Sequence, residues 1–410
     1  MKKIGLPLIL TGTLPLFVLA HFGHHLVSAL ATPLMPMIRD EFALNYTQAG
    51  TLIAAFSIPY GICQLPAGWL ADRIGRPILI GIGIGGIALA GFCVGLSQTY
   101  MMLLVFLALM GVLGGGYHPA SPPLITASVP PDKRSQALGW HLSGSALSFF
   151  LAPLLGVGIA TALNWRASYI ILSIPVLIIG ILLYIFTRRF SAAKKNSNAI
   201  EEDSPVKGSA KKRINRLAAV ILFVTFNQAV IIGIISLIPL FLVDKLGATE
   251  GAAAIYLAVI YSAGFWTGPL AGFVSDRVGK LLPIIIGVCL LAGPVIYLLN
   301  FASLGIVVGA LLFMLGIIFN ARMPLSESYI VKETLDKNRS SILGIYYFMG
   351  LEGGGVLTPA IGFSFDTIGF NNTFTIVAVA TTVITLLCLI WLYFNKESPG
   401  IRQSSNEING

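Results

Sequence analysis

Apolar residues run through this chain in long uninterrupted stretches, broken at short intervals by small polar clusters. Ile78 to Leu96 is apolar on every face, with neither the period of two of a half-exposed strand nor the 3.6-residue stripe of a surface helix. A helix that crosses a bilayer needs about 20 such residues. The runs place twelve crossings near 10–37, 48–70, 77–97, 100–128, 135–160 and 166–187, then near 217–243, 251–274, 281–300, 303–331, 340–365 and 372–394. The expected fold class is therefore an all-α membrane protein with twelve transmembrane helices.

The crossings form two sets of six that repeat one another. Gly68-Trp69-Leu70-Ala71-Asp72-Arg73-Ile74-Gly75-Arg76 returns 204 residues later as Gly272-Phe273-Val274-Ser275-Asp276-Arg277-Val278-Gly279-Lys280. Arg134-Ser135-Gln136-Ala137-Leu138-Gly139 returns after 205 residues as Arg339-Ser340-Ser341-Ile342-Leu343-Gly344, and Pro119 meets Pro324 at that offset. Three matches in one register point to two pseudo-symmetric six-helix bundles, an architecture that puts a solute site at the interface of the repeats. The expected divisions are 1–187 for the first bundle, 188–216 for a linker, 217–394 for the second bundle and 395–410 for a tail. The linker holds nine Lys and Arg against three acids and has the polar composition of a solvated connection.

Composition agrees: 56% of the 410 residues are hydrophobic and only 10% are charged, against roughly 25% charged in a soluble domain. The net charge of +9 would suit nucleic acid, but the basic residues gather between apolar runs, so no nucleic-acid partner is expected. With both termini and the linker on one face, that face carries 22 Lys and Arg. The opposite face has Arg39, Arg166 and Lys245, and Arg322 lies within a crossing. This asymmetry orients the termini to the cytoplasm of a cell (inner) membrane. Met1-Lys2-Lys3 and the apolar stretch to Ala20 imitate a cleavable signal, yet the apolar run continues to Ile38, and the repeat needs it as its first helix. Cys63, Cys93, Cys289 and Cys388 all fall in apolar runs and imply no disulfide framework.

The pattern Gly-x-x-x-Asp-Arg-x-Gly-Arg after the second crossing, and its copy at Gly272, resemble the signature of the major facilitator superfamily. The resemblance covers essentially the whole chain. It implies two bundles rocking about a central cavity lined by helices 1, 4, 7 and 10, and a gating role for Gly68, Asp72, Arg73, Gly75, Arg76, Gly272, Asp276, Arg277 and Gly279. Physically, Gly68 permits close helix approach, Asp72 suits a helix start, and Arg73 and Arg76 suit an anionic membrane face. On the fifth crossing, Gly139, Ser148, Ala152, Pro153 and Gly156 resemble a degenerate antiporter motif, with Ser148 and Ala152 where the family has Gly. The bland reading of the same residues is close packing and a bend. Within the superfamily the chain resembles bacterial drug exporters of the fosmidomycin-resistance type. His21 stands 27 residues before Gln48-Ala49-Gly50, and Tyr117-His118-Pro119 follows a glycine run. Relatives carry Asp four residues after the first His, where this chain has His25.

Ionisable groups within a membrane are costly and mark function. Here they are His21, His24 and His25 on crossing 1, His118 on crossing 4, His141 on crossing 5, Arg322 and Glu327 on crossing 10, and Glu352 on crossing 11; Asn227 and Gln228 add polarity to crossing 7. His21 and His25 share a helix face, and histidine exchanges protons near neutral pH. The plainer reading is neutral rings hydrogen-bonded inside a bundle. No carboxylate or thiol accompanies them, so no metal is expected. Arg322 stays charged and needs an anion, a carboxylate or a solute; it is expected on the cavity wall. Glu352 is either a coupling site or a buried neutral acid, and Glu327 a structural partner. Pro119, Pro122 and Pro123 are expected to break the fourth helix.

The leading expectation is proton-coupled efflux of a small organic molecule or drug by a monomer in the lipid bilayer, with no cofactor. Uptake of a small anionic metabolite is the alternative, and a non-transporting sensor is less favoured. An enzyme is not expected, and no Gly-x-x-x-x-Gly-Lys-Ser/Thr loop is present for ATP.

Overall fold

In the computed structural model of this chain, residues 12–130, 133–192, 210–278, 281–334 and 336–394 are described. They fold into helices alone. Peptide groups in hydrocarbon have no water to bond, so each crossing satisfies its own backbone. Span 1 consists of Leu14–Ser28 and Ala31–Phe42, spans 2 and 3 of Tyr46–Ile74 and Arg76–Gly95, and span 4 of Tyr100–Gly114 and Tyr117–Ser128. Spans 5 and 6 are Arg134–Ala162 and Trp165–Ala192. Span 7 is Ala210–Leu240 with a π-turn at Phe241–Lys245, and spans 8, 9 and 10 are Glu250–Val278, Leu281–Leu298 and Ile306–Glu333. Spans 11 and 12 share the helical run Asp336–Phe394 and are separated at Gly369. Its φ of 77° and ψ of 173° are non-helical, and the positive φ favours a residue without Cβ. The twelve spans make the two six-helix bundles of the expected fold. Helices 6 and 7 run on to Ala192 and start at Ala210, so they extend into the segment read as linker; residues 193–209 lie outside the described residues, as does the tail 395–410.

The prolines of span 4 behave differently from the expectation. The helix breaks upstream, at Gly115 and Gly116, and then resumes through Pro119, Pro122 and Pro123. Pro119 falls in the first turn, whose N–H groups have no acceptor within the helix anyway. The glycines mark close packing. A Cβ on Gly115 would stand 2.8 Å from the Tyr60 carbonyl oxygen of span 2, and one on Gly116 would stand 2.9 Å from Leu79 of span 3.

The signature loop between spans 2 and 3 is a single residue, Gly75, at φ 98°. Its last Gly is thus required by backbone geometry. Arg73 lies over the Trp69 ring, 4.0 Å from its centroid, and Arg73 and Arg76 are both exposed. The side chains at Gly68, Asp72, Gly272, Asp276 and Arg277, and Gly279 altogether, lie outside the described residues.

At the opposite end the halves are fastened together. Asp244, after span 7, forms an ion pair with Arg39 and accepts from the Tyr46 hydroxyl at 2.8 Å. Asp366, near the end of span 11, accepts from Tyr46 N–H (2.9 Å), Thr47 N–H (2.8 Å) and the Thr47 hydroxyl (2.6 Å). A carboxylate from one half therefore caps the positive N-terminus of a helix in the other. Spans 2 and 11 pass closely below this seam: a Cβ on Gly50 would stand 2.8 Å from the Thr358 carbonyl oxygen and 2.9 Å from Pro359 Cα. Glu41 braces the same end within the first half, pairing with Arg166 at 2.6 Å and accepting from the Trp165 indole at 2.6 Å.

Weakening this seam should release it. Asp366→Asn keeps the shape and removes the charge, at a cost of about 1 kcal/mol for a partly exposed helix-terminus contact. That corresponds to roughly a fivefold rise in molecules open at the Arg39 end. Distance distributions between spin labels on the two halves at this end would show it. An unchanged distribution in both Asp366→Asn and Asp244→Asn would mean that packing at Gly50 alone holds the seam.

Candidate functional site

Span 1 presents His21, His24 and His25 to spans 2, 4 and 5 of its own bundle, where His118 and His141 meet them. The result is five imidazoles in one cluster. Ring centroids lie 4.9 Å apart for His21 and His25, 5.2 Å for His21 and His118, 5.4 Å for His25 and His118, and 5.4 Å for His24 and His118. His141 stacks on His21 at 4.0 Å. His21 Nδ1 donates to the His141 carbonyl oxygen at 2.8 Å. The Tyr117 hydroxyl lies 3.0 Å from His141 Nε2, and His24 Nε2 lies 3.1 Å from the Tyr60 hydroxyl. His21 and His24 are buried, whereas His25 and His118 are partly exposed. His25 packs against Phe149 (4.8 Å), which packs against Tyr261 of span 8 (5.3 Å), so a continuous line of rings reaches the second half.

The sequence signal for this cluster was the run of histidines on span 1 with His118. His141 belongs to it equally. It stands alone in span 5, and only packing joins it to span 1. Tyr60 and Tyr117 carry no sequence signal beyond being polar aromatics in apolar runs. The small residues of span 5 bring the helices close. A Cβ on Gly156 would stand 2.8 Å from a Leu30 methyl of span 1, while Ser148 and Ala152 are fully buried. Pro153 sits inside an unbroken helix, and Gly139 has nothing within 4 Å of its Cβ direction, so Gly139 contributes no close contact.

The second half holds its polar groups differently. Arg322 is fully buried rather than on the cavity wall. One guanidinium nitrogen donates to the Val224 carbonyl oxygen of span 7 at 2.9 Å, which draws the side chain into its own bundle. Its Nε and second terminal nitrogen are buried without a hydrogen-bond partner. Asn227 is also fully buried; its amide nitrogen donates to the Phe223 carbonyl and the Thr385 hydroxyl of span 12, each at 3.0 Å, while its oxygen is unpartnered. Gln228 is buried against Gly350 of span 11, where an added Cβ would stand 3.0 Å from its amide oxygen. Glu327 is half-buried. The Glu352 side chain lies outside the described residues. Among the described candidates, the histidines gather in the first bundle, and Asn227, Gln228 and Arg322 are buried in the second.

Two six-helix bundles fastened to one another at one end, the first holding a cluster of imidazoles, have the architecture of a membrane transporter. The chain belongs to the Major Facilitator Superfamily, whose sequence pattern it matches over residues 17–359. It is similar to the Multidrug resistance protein MdtG of Proteus mirabilis (26% identity over 395 residues, 92% of this chain and 95% of the relative). It is similar also to the Hexuronate transporter of Bacillus subtilis (24% over 364 residues, 83% and 84%). Among solved structures, a bacterial homolog of the human lysosomal transporter Spinster shares the fold, with a TM-score of 0.74, 18% identity and coverage of 94% and 98%.

A buried charge with two unpaired donors is a stability liability. Arg322→Met should therefore leave the melting temperature of the purified protein unchanged or higher, and lower transport at least tenfold if those donors serve a solute. Thermal unfolding and flux on the same preparation check both. Full flux would remove Arg322 from the transport machinery, and a collapsed melting temperature would make it a structural bond to span 7.

Proposed function

We propose that this chain is a proton-coupled secondary transporter that exports a small organic molecule by alternating access, in the manner of a drug antiporter. The observation that carries this reading is the seam. The halves are fastened at the Arg39 end by Arg39–Asp244 and by Asp366 on Tyr46 and Thr47, and a line of rings, His25, Phe149 and Tyr261, runs from the first half to the second. Such a fastening must open and close again in every cycle. Counting Lys and Arg puts this end outside the cell membrane, so the halves are closed at the outer face. The domain limits 1–187, 188–216, 217–394 and 395–410, cytoplasmic termini and a monomer belong to the same reading. The resemblance to the fosmidomycin-resistance type and the likeness to MdtG favour export; aromatic and imidazole surfaces suit organic solutes of mixed polarity. Glu352 is assigned the coupling proton, since it is the carboxyl nearest mid-membrane in a Gly-rich stretch. The signature loops at Asp72 and Asp276 are assigned the gate at the inner face.

Uptake of a small organic anion is the second reading. The two unpaired donors of Arg322 favour it, as does the likeness to a hexuronate carrier. It requires the second bundle to open enough for the anion to reach that guanidinium.

Purified protein in liposomes with an imposed pH gradient, offered a panel of organic cations, neutral drugs and sugar acids, decides between them. Gradient-driven flux of drugs out of the cytoplasm-equivalent side is the expected result. Glu352→Gln should lose at least nine-tenths of gradient-driven flux and keep solute exchange without a gradient, and Asp72→Asn should lower flux severalfold at equal abundance. Full driven flux in Glu352→Gln would reject the coupling role, and flux indifferent to pH would reject proton coupling altogether.

A further inference from the structure

The tautomer of His21 is fixed by its surroundings. A carbonyl oxygen only accepts, so the 2.8 Å bond from His21 Nδ1 to the His141 carbonyl puts the proton on Nδ1 and the lone pair of the neutral ring on Nε2. That Nε2 is buried and has no hydrogen-bond partner. A buried acceptor left empty costs about 1–3 kcal/mol, and two further imidazoles stand beside this ring, His25 with its centroid at 4.9 Å and His118 at 5.2 Å. Ligating nitrogens of His21, His25 and His118 all lie within 4.8 Å of one another. Behind them, the ring of His21 is held by its stack on His141, and His141 by the Tyr117 hydroxyl. A ring whose one N–H is tied to a backbone carbonyl while its other nitrogen is left without a partner, among neighbouring imidazoles, has the outer-shell arrangement of metal-bound histidine.

We propose that His21, His25 and His118 form a binding site for one divalent transition-metal ion of the zinc, cobalt and nickel class. Neutral imidazoles select these ions over magnesium and calcium, which need oxygen ligands. Three histidines with a fourth position open is a donor set that zinc accepts, water or an anion completing the tetrahedron. The lack of a carboxylate or thiol, which led the sequence to no metal, is therefore no bar once a third histidine arrives from span 4. Nitrogens about 2.0–2.1 Å from an ion in tetrahedral geometry stand about 3.4 Å apart. The present spacing of up to 4.8 Å is wider than that, so the site closes on the ion as it binds, with His25 and His118 the partly exposed members. All three ligands belong to spans 1 and 4 of one half, so binding does not tie the halves together.

The test uses the full chain in detergent with any affinity tag removed and metal stripped. Cobalt(II) titration is expected to saturate at one equivalent, with the strong visible bands of a four-coordinate site, and zinc should displace it. X-ray absorption of the zinc-loaded protein should show imidazole scattering from three rings. His25→Gln and His118→Gln, each checked for a single monodisperse peak, should weaken cobalt binding at least tenfold. No saturation at one equivalent, a weak six-coordinate spectrum, or undiminished binding in both variants would overturn the proposal. Because the readout is binding and spectroscopy, a failure here leaves the transport reading standing, and a failure of transport leaves this site to be judged alone.

Discussion

A hydrocarbon interior offers no partner to a peptide N–H or C=O, and nearly every feature of this molecule follows from that refusal. It forces each crossing into a helix, and it makes helix ends, kinks and polar side chains conspicuous. Where backbone bonds are lost, the structure replaces or confines them. The Pro119, Pro122 and Pro123 stretch stays helical because the interruption is taken at Gly115 and Gly116, against spans 2 and 3. The chain turns in one residue at Gly75 because that residue has no Cβ. With hydrophobicity unable to favour helix over lipid, association rests on close approach, and Gly50, Gly115 and Gly156 supply it at three separate crossings.

The same refusal explains how the two bundles divide the work. The first gathers five imidazoles and two tyrosine hydroxyls, joined by hydrogen bonds to one another and to a backbone carbonyl. The second buries Arg322, a permanent charge given one carbonyl oxygen. Sequence symmetry between the halves is therefore a symmetry of scaffold, while their interiors have different chemistry.

The charged seam sits at the rim, where water and lipid headgroups keep ion pairs weak and therefore reversible. Asp366 on the start of span 2 and Asp244 on Arg39 hold the halves firmly enough to define one state without fixing it permanently. Neither aspartate stands out in the sequence. Each follows an apolar run and reads as an ordinary loop acid, because a bond between residues 320 positions apart has no local signature.

The sequence alone determined the twelve crossings and the bundle repeat, because lipid burial demands apolar length and leaves a one-dimensional trace. It also marked the histidines of span 1, His118 and Arg322, since any polar group in such runs is an exception. Tertiary structure decided what those exceptions touch. His141 joined His21 through packing of span 5 on span 1, Arg322 turned inward to Val224 instead of toward the cavity, and His25 and His118 kept the exposed positions. A helix records in its sequence how apolar it is. Which of its faces meets which neighbour depends on the crossing angles and close contacts of all twelve, and those exist only once the bundles are packed.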